Sequence, residues 1–331
     1  MRRGTALLGV AVALLLLAGC AASGAGPADQ SYRRPGCGPV PFASVHGVAP
    51  PYGARALAPY PTRPAVCEAY WIRQAAHRFV PQALAVRGET AYVVGYRWAH
   101  ALARRPCQIA VIDLRHHRET AFVGRFQAPV YGPAPTFCRH GGGAEIDGHG
   151  LWVLETKRLW LLSPARLGHA DPVLRVWRLG RWAKGSALVL RGDRLGVARY
   201  RKHGRGAVTW FALADVLRPG VTDLLARPGG PTTAHQVART TVPPRLQGIT
   251  AAHGALWFST SRTSCGTLRR HAGRRVDLVP GGEDVQFVGR SLWVVSEAGA
   301  EPYVDPGEPL VPMLLRLDAN AVLHGHHTCA Y

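Results

Sequence analysis

The chain of 331 residues contains a single asparagine, Asn320, and only three lysines, Lys157, Lys184 and Lys202. Several signatures are missing as well. With no C-x-x-C pair there is neither a zinc ribbon nor a thioredoxin-type dithiol. The tetrapeptide His140-Gly141-Gly142-Gly143 matches the oxyanion loop of many esterases, but no G-x-S-x-G elbow accompanies it, which excludes esterase chemistry on the α/β-hydrolase plan. Fifteen histidines are present without an H-E-x-x-H, so a helical zinc-protease site is excluded too. Lys and Arg total 40 against 20 acidic residues, yet no block of five consecutive basic residues occurs and no basic helix is interleaved with aromatics. A dedicated nucleic-acid motif is therefore absent, and none is expected as a partner. No amphipathic helix exceeds two turns, and nothing past residue 20 is apolar enough to span a bilayer.

What is present begins at the N-terminus. Met1-Arg2-Arg3 precedes an uncharged apolar run from Ala6 to Ala18, too short for a transmembrane helix and of the form of a secretory signal peptide over residues 1–19. It ends in Leu17-Ala18-Gly19-Cys20, which resembles the lipobox of bacterial lipoproteins. The resemblance implies lipid attachment at Cys20 and anchoring at the extracytoplasmic face of the cell membrane. Without residues 1–19 the chain keeps 38 Lys and Arg (40 less Arg2 and Arg3) against 20 Asp and Glu. A surface of about +18 steers polyanions toward it. For an exported protein the expected partners are the membrane through its lipid, anionic envelope polymers and another envelope protein.

Six cysteines remain: Cys37, Cys67, Cys107, Cys138, Cys265 and Cys329. An even number in an exported chain reads as disulfides, with 15 possible connectivities. The pairing expected here is Cys37 with Cys67, Cys107 with Cys138 and Cys265 with Cys329, each joining strand ends that should lie near one another.

Residues 20–64 hold nine prolines from Pro27 to Pro64 and read as a Pro/Gly-rich tether, ordered from about Cys37 onward. Beyond it a pattern recurs. The segments at 81–96, 142–156, 185–200, 247–261 and 283–297 each pair two short apolar strands around a turn carrying RGE, DGHG, RGD, HG or GR. A second strand pair follows each hairpin: QIAVIDL with ETAFVG, RLWLLSP with VLRVWRL, AVTWFAL with VTDLLA, GTLRRHA with RVDLVPG, and MLLRLDA with NAVLHG. Such units in series predict an all-β fold over 65–331, a five-bladed β-propeller of four-stranded blades. A six-bladed ring, with residues 37–80 adding strands, is the alternative. Ala65 to Arg78 is the best helical candidate, although Tyr70-Trp71-Ile72 also fits a strand closing the ring.

Gln247-Gly248-Ile249-Thr250 before Ala255-Leu256-Trp257-Phe258, and Glu283-Asp284-Val285 before Ser291-Leu292-Trp293-Val294, resemble blade starts of NHL-type and gluconolactonase-like propellers. The chain is also similar to secreted or lipid-anchored actinobacterial propellers of unassigned activity. In gluconolactonase-like members a calcium or related divalent ion sits in the channel on acidic and Asn ligands. The equivalent positions here are Gln82, Gly142, Ser186, Gln247 and Glu283, so only Glu283 and its neighbour Asp284 offer anionic ligands, and Asn320 matches none of the family's asparagines. No cofactor is expected, with one divalent ion as the alternative. No residue is assigned as catalytic; the candidate binding residues at the channel mouth are Gln82, His140, Glu145, Ser186, Gln247 and Glu283.

Bland readings are expected for the remaining motifs. Arg191-Gly192-Asp193 and His116-His117 fall in turns, and the His324, His326, His327 cluster reads as a tail beside Cys329. Trp152, Trp160, Trp177, Trp182, Trp210, Trp257 and Trp293 fall on or beside strands and should pack between blades. The expected function is binding or scaffolding at the cell envelope; the alternative is a metal-assisted hydrolase of lactones or esters.

Overall fold

The computed structural model describes residues 35–181, 183, 185–262, 265–327 and 329. The signal-peptide segment, Cys20, the first part of the tether and Trp182 lie outside the described residues. Strands are numbered in chain order. After β1 (Val66–Tyr70), the first sheet holds β2 (Phe79–Arg87), β3 (Thr90–Arg97), β4 (Cys107–Asp113) and β5 (Arg118–Val123). A small hairpin, β6 (Gln127–Pro129) and β7 (Pro135–Phe137), leads to the second sheet, begun by β8 (Gly143–Ile146), β9 (Leu151–Leu154), β10 (Arg158–Leu162) and β11 (Val173–Leu179). The third has β12 (Ala187–Arg191), β13 (Arg194–Ala198) and β14 (Gly206–Ala212), then, past β15 (Asp223–Leu225) and β16 (Thr233–His235), β17 (Ala238–Val242). The fourth has β18 (Leu246–Ala252), β19 (Ala255–Arg262), β20 (Cys265–Arg270) and β21 (Arg275–Leu278), and the last has β22 (Gly282–Val288), β23 (Ser291–Ser296), β24 (Leu314–Asp318) and β1.

The first strands of these sheets, β2, β8, β12, β18 and β22, pack each against the next, and β22 packs against β2. A closed ring of meandering antiparallel sheets is a β-propeller. Being covered on both faces, these inner strands read as apolar runs: Phe79 to Val86 is buried throughout. The hairpin chemistry is repetitive. Gly88, Gly192, Gly254 and Gly289 sit at left-handed φ values (58°, 58°, 72° and 57°) in two-residue loops, where a side chain would be strained. The Arg191-Gly192-Asp193 tripeptide is one of these turns.

Three expectations are corrected. The blades are not five equal four-stranded units: four sheets are four-stranded and the second has six strands. Asp223–Leu225, expected as the outer strand of the third unit, instead adds in parallel to β11, and β16 adds to it. Arg178 holds it there through Asp223 at 2.5 Å, while Arg175 donates to the carbonyls of Leu217, Arg218 and Val221 and Trp177 Nε1 donates to Val216. The vacated edge of the third sheet is filled by β17. Second, NAVLHG is not a strand: Ala319–His324 is helical, because the Asp318 carboxylate accepts from the amides of Asn320 and Ala321. The outer edge of that last sheet is taken by β1, paired antiparallel with β24, so the two ends of the chain close the ring together. Third, residues 37–80 build no additional sheet; around β1 they form short 3₁₀ turns at Phe42–Ser44, Arg63–Ala65 and Arg73–His77, and of the two readings open for Ala65 to Arg78 it is the ring-closing strand that forms, at Val66–Tyr70, rather than a long helix.

The core lies between the sheets. Trp152 and Trp177 stack at 5.4 Å, Trp160 meets Phe126 edge-on, and Trp210, Trp257 and Trp293 are all buried. Residues 37–64 are not a free spacer, since Val45 and Tyr60 join the core cluster of the last sheet. Disulfides Cys37–Cys67, Cys107–Cys138 and Cys265–Cys329 tie this segment, the β4 entry and the C-terminal tail to the ring.

Candidate functional site

A propeller brings the starts of its inner strands to one end of the channel. In β2, β18 and β22 the pairing slips by one residue near that start, between Pro81 and Ala83, Leu246 and Gly248, and Gly282 and Asp284. The bulged residues are Gln82, Gln247 and Glu283. A bulge leaves its residue out of the ladder and re-aims the side chain, so three polar groups converge at the channel mouth. The equivalent positions before β8 and β12 are Gly142 and Ser186. A Cβ on Gly142 would lie 2.8 Å from the Ser186 carbonyl oxygen, and one on Gly143 would lie 2.7 Å from the Leu188 amide. Gly142 and Gly143 therefore permit close approach of neighbouring inner strands, and a Cβ on Gly141 would stand 2.8 Å from the Val94 side chain, which together account for the HGGG sequence.

Around the bulges a hydrogen-bonded network forms. Gln82 Nε2 donates to Glu297 Oε2 at 2.6 Å and Gln247 Nε2 donates to Glu283 Oε1 at 3.0 Å. Glu283 and Glu297 hydrogen-bond each other, and Tyr303 also bonds Glu297. Burial raises both carboxyls above the usual range, and mutual repulsion raises Glu283 further. Two adjacent carboxyls in such a site share one proton. Glu297 collects donors from Gln82, Glu283 and Tyr303 with the Arg105 charge nearby. The mouth thus carries a carboxyl pair that holds a proton between its members, and two oriented carboxamides.

The rim is aromatic. The Tyr303 and Tyr96 hydroxyls are 3.2 Å apart, the His140 ring stacks on Tyr96 at 4.4 Å, and the Arg105 guanidinium lies over Tyr96 and Trp98. Burial, with Arg105 adding to it, lowers the His140 imidazole to about 4, so it is neutral at pH 7. His140 also borders a cavity of about 450 Å³ shared with Leu102, Ala103, Arg139, Glu155, Thr156 and Lys157.

Not every expected mouth residue belongs there. Deeper in the channel, Glu145 Oε1 accepts from the Leu190 amide at 3.3 Å, and burial raises its carboxyl to about 8. Asp284 accepts from the amides of Leu84 at 3.0 Å and Val285 at 2.9 Å, and Gln286 accepts from Val86 at 2.6 Å. Glu145, Asp284 and Gln286 therefore work as rungs between adjacent inner strands. Ser186 Oγ accepts from the Tyr200 amide and serves local structure. Conversely, Glu297, Tyr303, Tyr96 and Arg105 were not singled out from sequence. Glu297 could have been noticed as a carboxylate directly after the VVS strand end; the loop residues Tyr303 and Arg105 show no local pattern.

The donors fit calcium poorly. That ion takes six to eight oxygens, whereas here Asp284 is engaged by backbone amides and both carboxamides turn their nitrogens to the glutamates. The grouping Cys107, Cys138 and Glu155 is a disulfide beside a carboxylate that pairs with the buried Arg158. Cys265 and Cys329, near Asp277, are likewise disulfide-bonded. His327 packs its ring nitrogens 2.9 Å from the carbonyls of Pro61 and Ala321.

No family model matches this sequence, and no curated protein matches it significantly. Among solved structures, the chain is similar to glutaminyl cyclase of Myxococcus xanthus, with 10% identity and TM-score 0.44 over 73% of this chain and 90% of that one. It is similar to PQQ-bound aldose sugar dehydrogenase of Streptomyces coelicolor, with 12% identity and TM-score 0.34 over 82% and 81%. The RRP9 WD40 repeats match at 11% identity and TM-score 0.34 over 71% and 79%. Similarity this distant carries no function across, and the propeller assignment stands on the chain's own strand pairing.

Proposed function

We propose that the chain is an extracytoplasmic, lipid-anchored β-propeller whose channel mouth binds a small hydroxyl-rich ligand of the cell envelope, a saccharide by chemical class. The observation that carries this reading is the Glu283–Glu297 carboxyl pair, held with Gln82 and Gln247 by three strand bulges and bordered by Tyr96, Tyr303 and His140. Such groups alternate donors with acceptors and add flat apolar faces, a combination suited to hydroxyls and C–H surfaces. The lipobox-like Leu17 to Cys20 and the three disulfides support an exported, anchored protein.

Calorimetric titration of the purified protein with mono- and oligosaccharide fragments of envelope glycans tests the binding reading. A saccharide should bind, and Glu297→Gln or Gln247→Ala should weaken it at least about tenfold, the effect of roughly 1.4 kcal/mol. If instead the purified protein carries a divalent ion whose removal abolishes lactone or ester hydrolysis, metal-assisted hydrolysis replaces binding. For the anchor, Cys20→Ser should release the protein from membranes; continued retention would refute lipid attachment.

A further inference from the structure

Outside the channel, a cleft runs between the outer strands of the third and fourth sheets. It consists of two contiguous cavities of about 310 and 430 Å³ that share Pro243, Pro244 and Arg269. Arg205 and His271 line the first, and Arg245 and Arg275 line the second. Neither cavity is lined by a carboxylate.

The sheet register makes this concentration of charge costly. Arg269 and Arg275 stand directly opposite each other on β20 and β21, which puts both side chains on the face turned to the cleft. Like charges so paired are destabilising. Arg275 has a neighbouring carboxylate, Asp277 at 3.4 Å, but no ion pair to Arg205, Arg245 or Arg269 occurs among the described residues. The opposite wall is the Pro243-Pro244-Arg245 connector, where two prolines contribute no backbone donor and Arg245 sits at φ 57°. Arg205, Arg245 and Arg269 are thus held around one trough with no ion pair among the described residues, and only Arg275 has a carboxylate beside it. Guanidinium forks match the paired oxygens of phosphate groups.

We infer that this cleft binds a linear phosphate-bearing polymer, with successive phosphates seated against Arg205, Arg269 and Arg245. The shape favours a chain over a membrane surface, because a planar bilayer does not enter a recessed trough between two sheets. Phe258 is buried at 2% exposure, which leaves His271 as the one exposed ring lining the trough, against the row of aromatic platforms that single-stranded nucleic-acid binding uses. The inference is independent of the channel-mouth reading, because no residue is shared between them.

The test uses the purified protein, inorganic polyphosphate as probe, and titrations across a salt series. Arg245→Gln/Arg269→Gln should weaken binding at least tenfold and reduce the slope of log affinity against log salt by about 1.4–1.8, since each phosphate contact contributes roughly 0.7–0.9. Arg115→Gln/Arg118→Gln, the same charge change on the distant first sheet, should alter affinity less than about twofold. Equal losses in the two double variants would overturn the inference in favour of diffuse attraction by net charge. So would retention on phosphatidylglycerol vesicles that depends on Arg245 and Arg269 and is not displaced by polyphosphate, which would assign the cleft to the membrane. Circular dichroism on both variants secures the comparison against misfolding.

Discussion

Replacing Glu145 by Gln should make the protein more stable at neutral pH and remove part of its pH dependence. The Glu145 carboxyl faces the channel, accepts the Leu190 amide and has Asp147 nearby; burial, chiefly, lifts it from about 4.5 to about 8. A carboxyl raised in the folded state is ionised first in the unfolded chain. The folded state then binds more protons, and stability falls as pH rises between the two values. At 1.36 kcal/mol per tenfold difference, the cost is nearly nothing at pH 4, at most about 3 kcal/mol at pH 7, and at most about 5 kcal/mol beyond pH 8. Gln keeps the acceptor for Leu190 and loses the titration. In urea denaturation followed by tryptophan fluorescence, Glu145→Gln should match the parent near pH 4 and exceed it progressively up to pH 8. Parallel stability curves for the two proteins across that range would refute the buried, proton-holding role of Glu145.

Other outcomes follow from single contacts. Arg158→Met should lose about 3–5 kcal/mol by stranding Glu155 as an unpaired buried charge, and Arg158→Met/Glu155→Gln should recover most of it; equal losses would refute the pairing. Gly248→Ala, whose Cβ would stand 2.3 Å from Asp284 Oδ1 and 2.7 Å from the Glu283 carbonyl, should cost more than about 2 kcal/mol, while Gly289→Ala, in open space at φ 57°, should cost only about 1–2 kcal/mol; the reverse order in urea midpoints would contradict the glycine argument. The His140 ring should titrate near pH 4 by NMR, and a midpoint near 6.5 would show it to be solvated. Cys265→Ala/Cys329→Ala should destabilise by about 4 kcal/mol, since the crosslink spans 64 residues; an unchanged urea midpoint would show that the tail is not held by it.

Much of the fold is legible from short-range pattern. Short apolar runs and glycine turns mark the inner hairpins from Pro81 onward, because these strands are covered on both faces and their turns demand left-handed backbone. The same signals misplace VTDLLA and NAVLHG. Their composition suits an outer strand, but which edge such a strand joins depends on distant competitors: Arg175, Arg178 and Trp177 capture the first, and Asp318 caps the second into a helix while β1 occupies its edge. Strand identity is local, whereas edge occupancy is settled between segments hundreds of residues apart, as with Ala69 facing Leu315.

The candidate site divides in the same way. Gln82, Gln247 and Glu283 are visible in the sequence because equal positions in repeated units share one location, and their bulges bring them to the mouth. Residue type alone determined that polar groups interrupt the apolar inner strands, that six cysteines remain after Cys20, and that the chain is strongly basic. Only the tertiary structure decided what those groups do. It set Glu283 against Glu297, turned Glu145 and Asp284 toward backbone amides of neighbouring strands, and placed Arg269 opposite Arg275 across from Arg245. Proximity across the ring fixes burial and partner for each charge, and burial and partner, not residue type, determine whether a carboxyl keeps its proton or an arginine is left without a counterion.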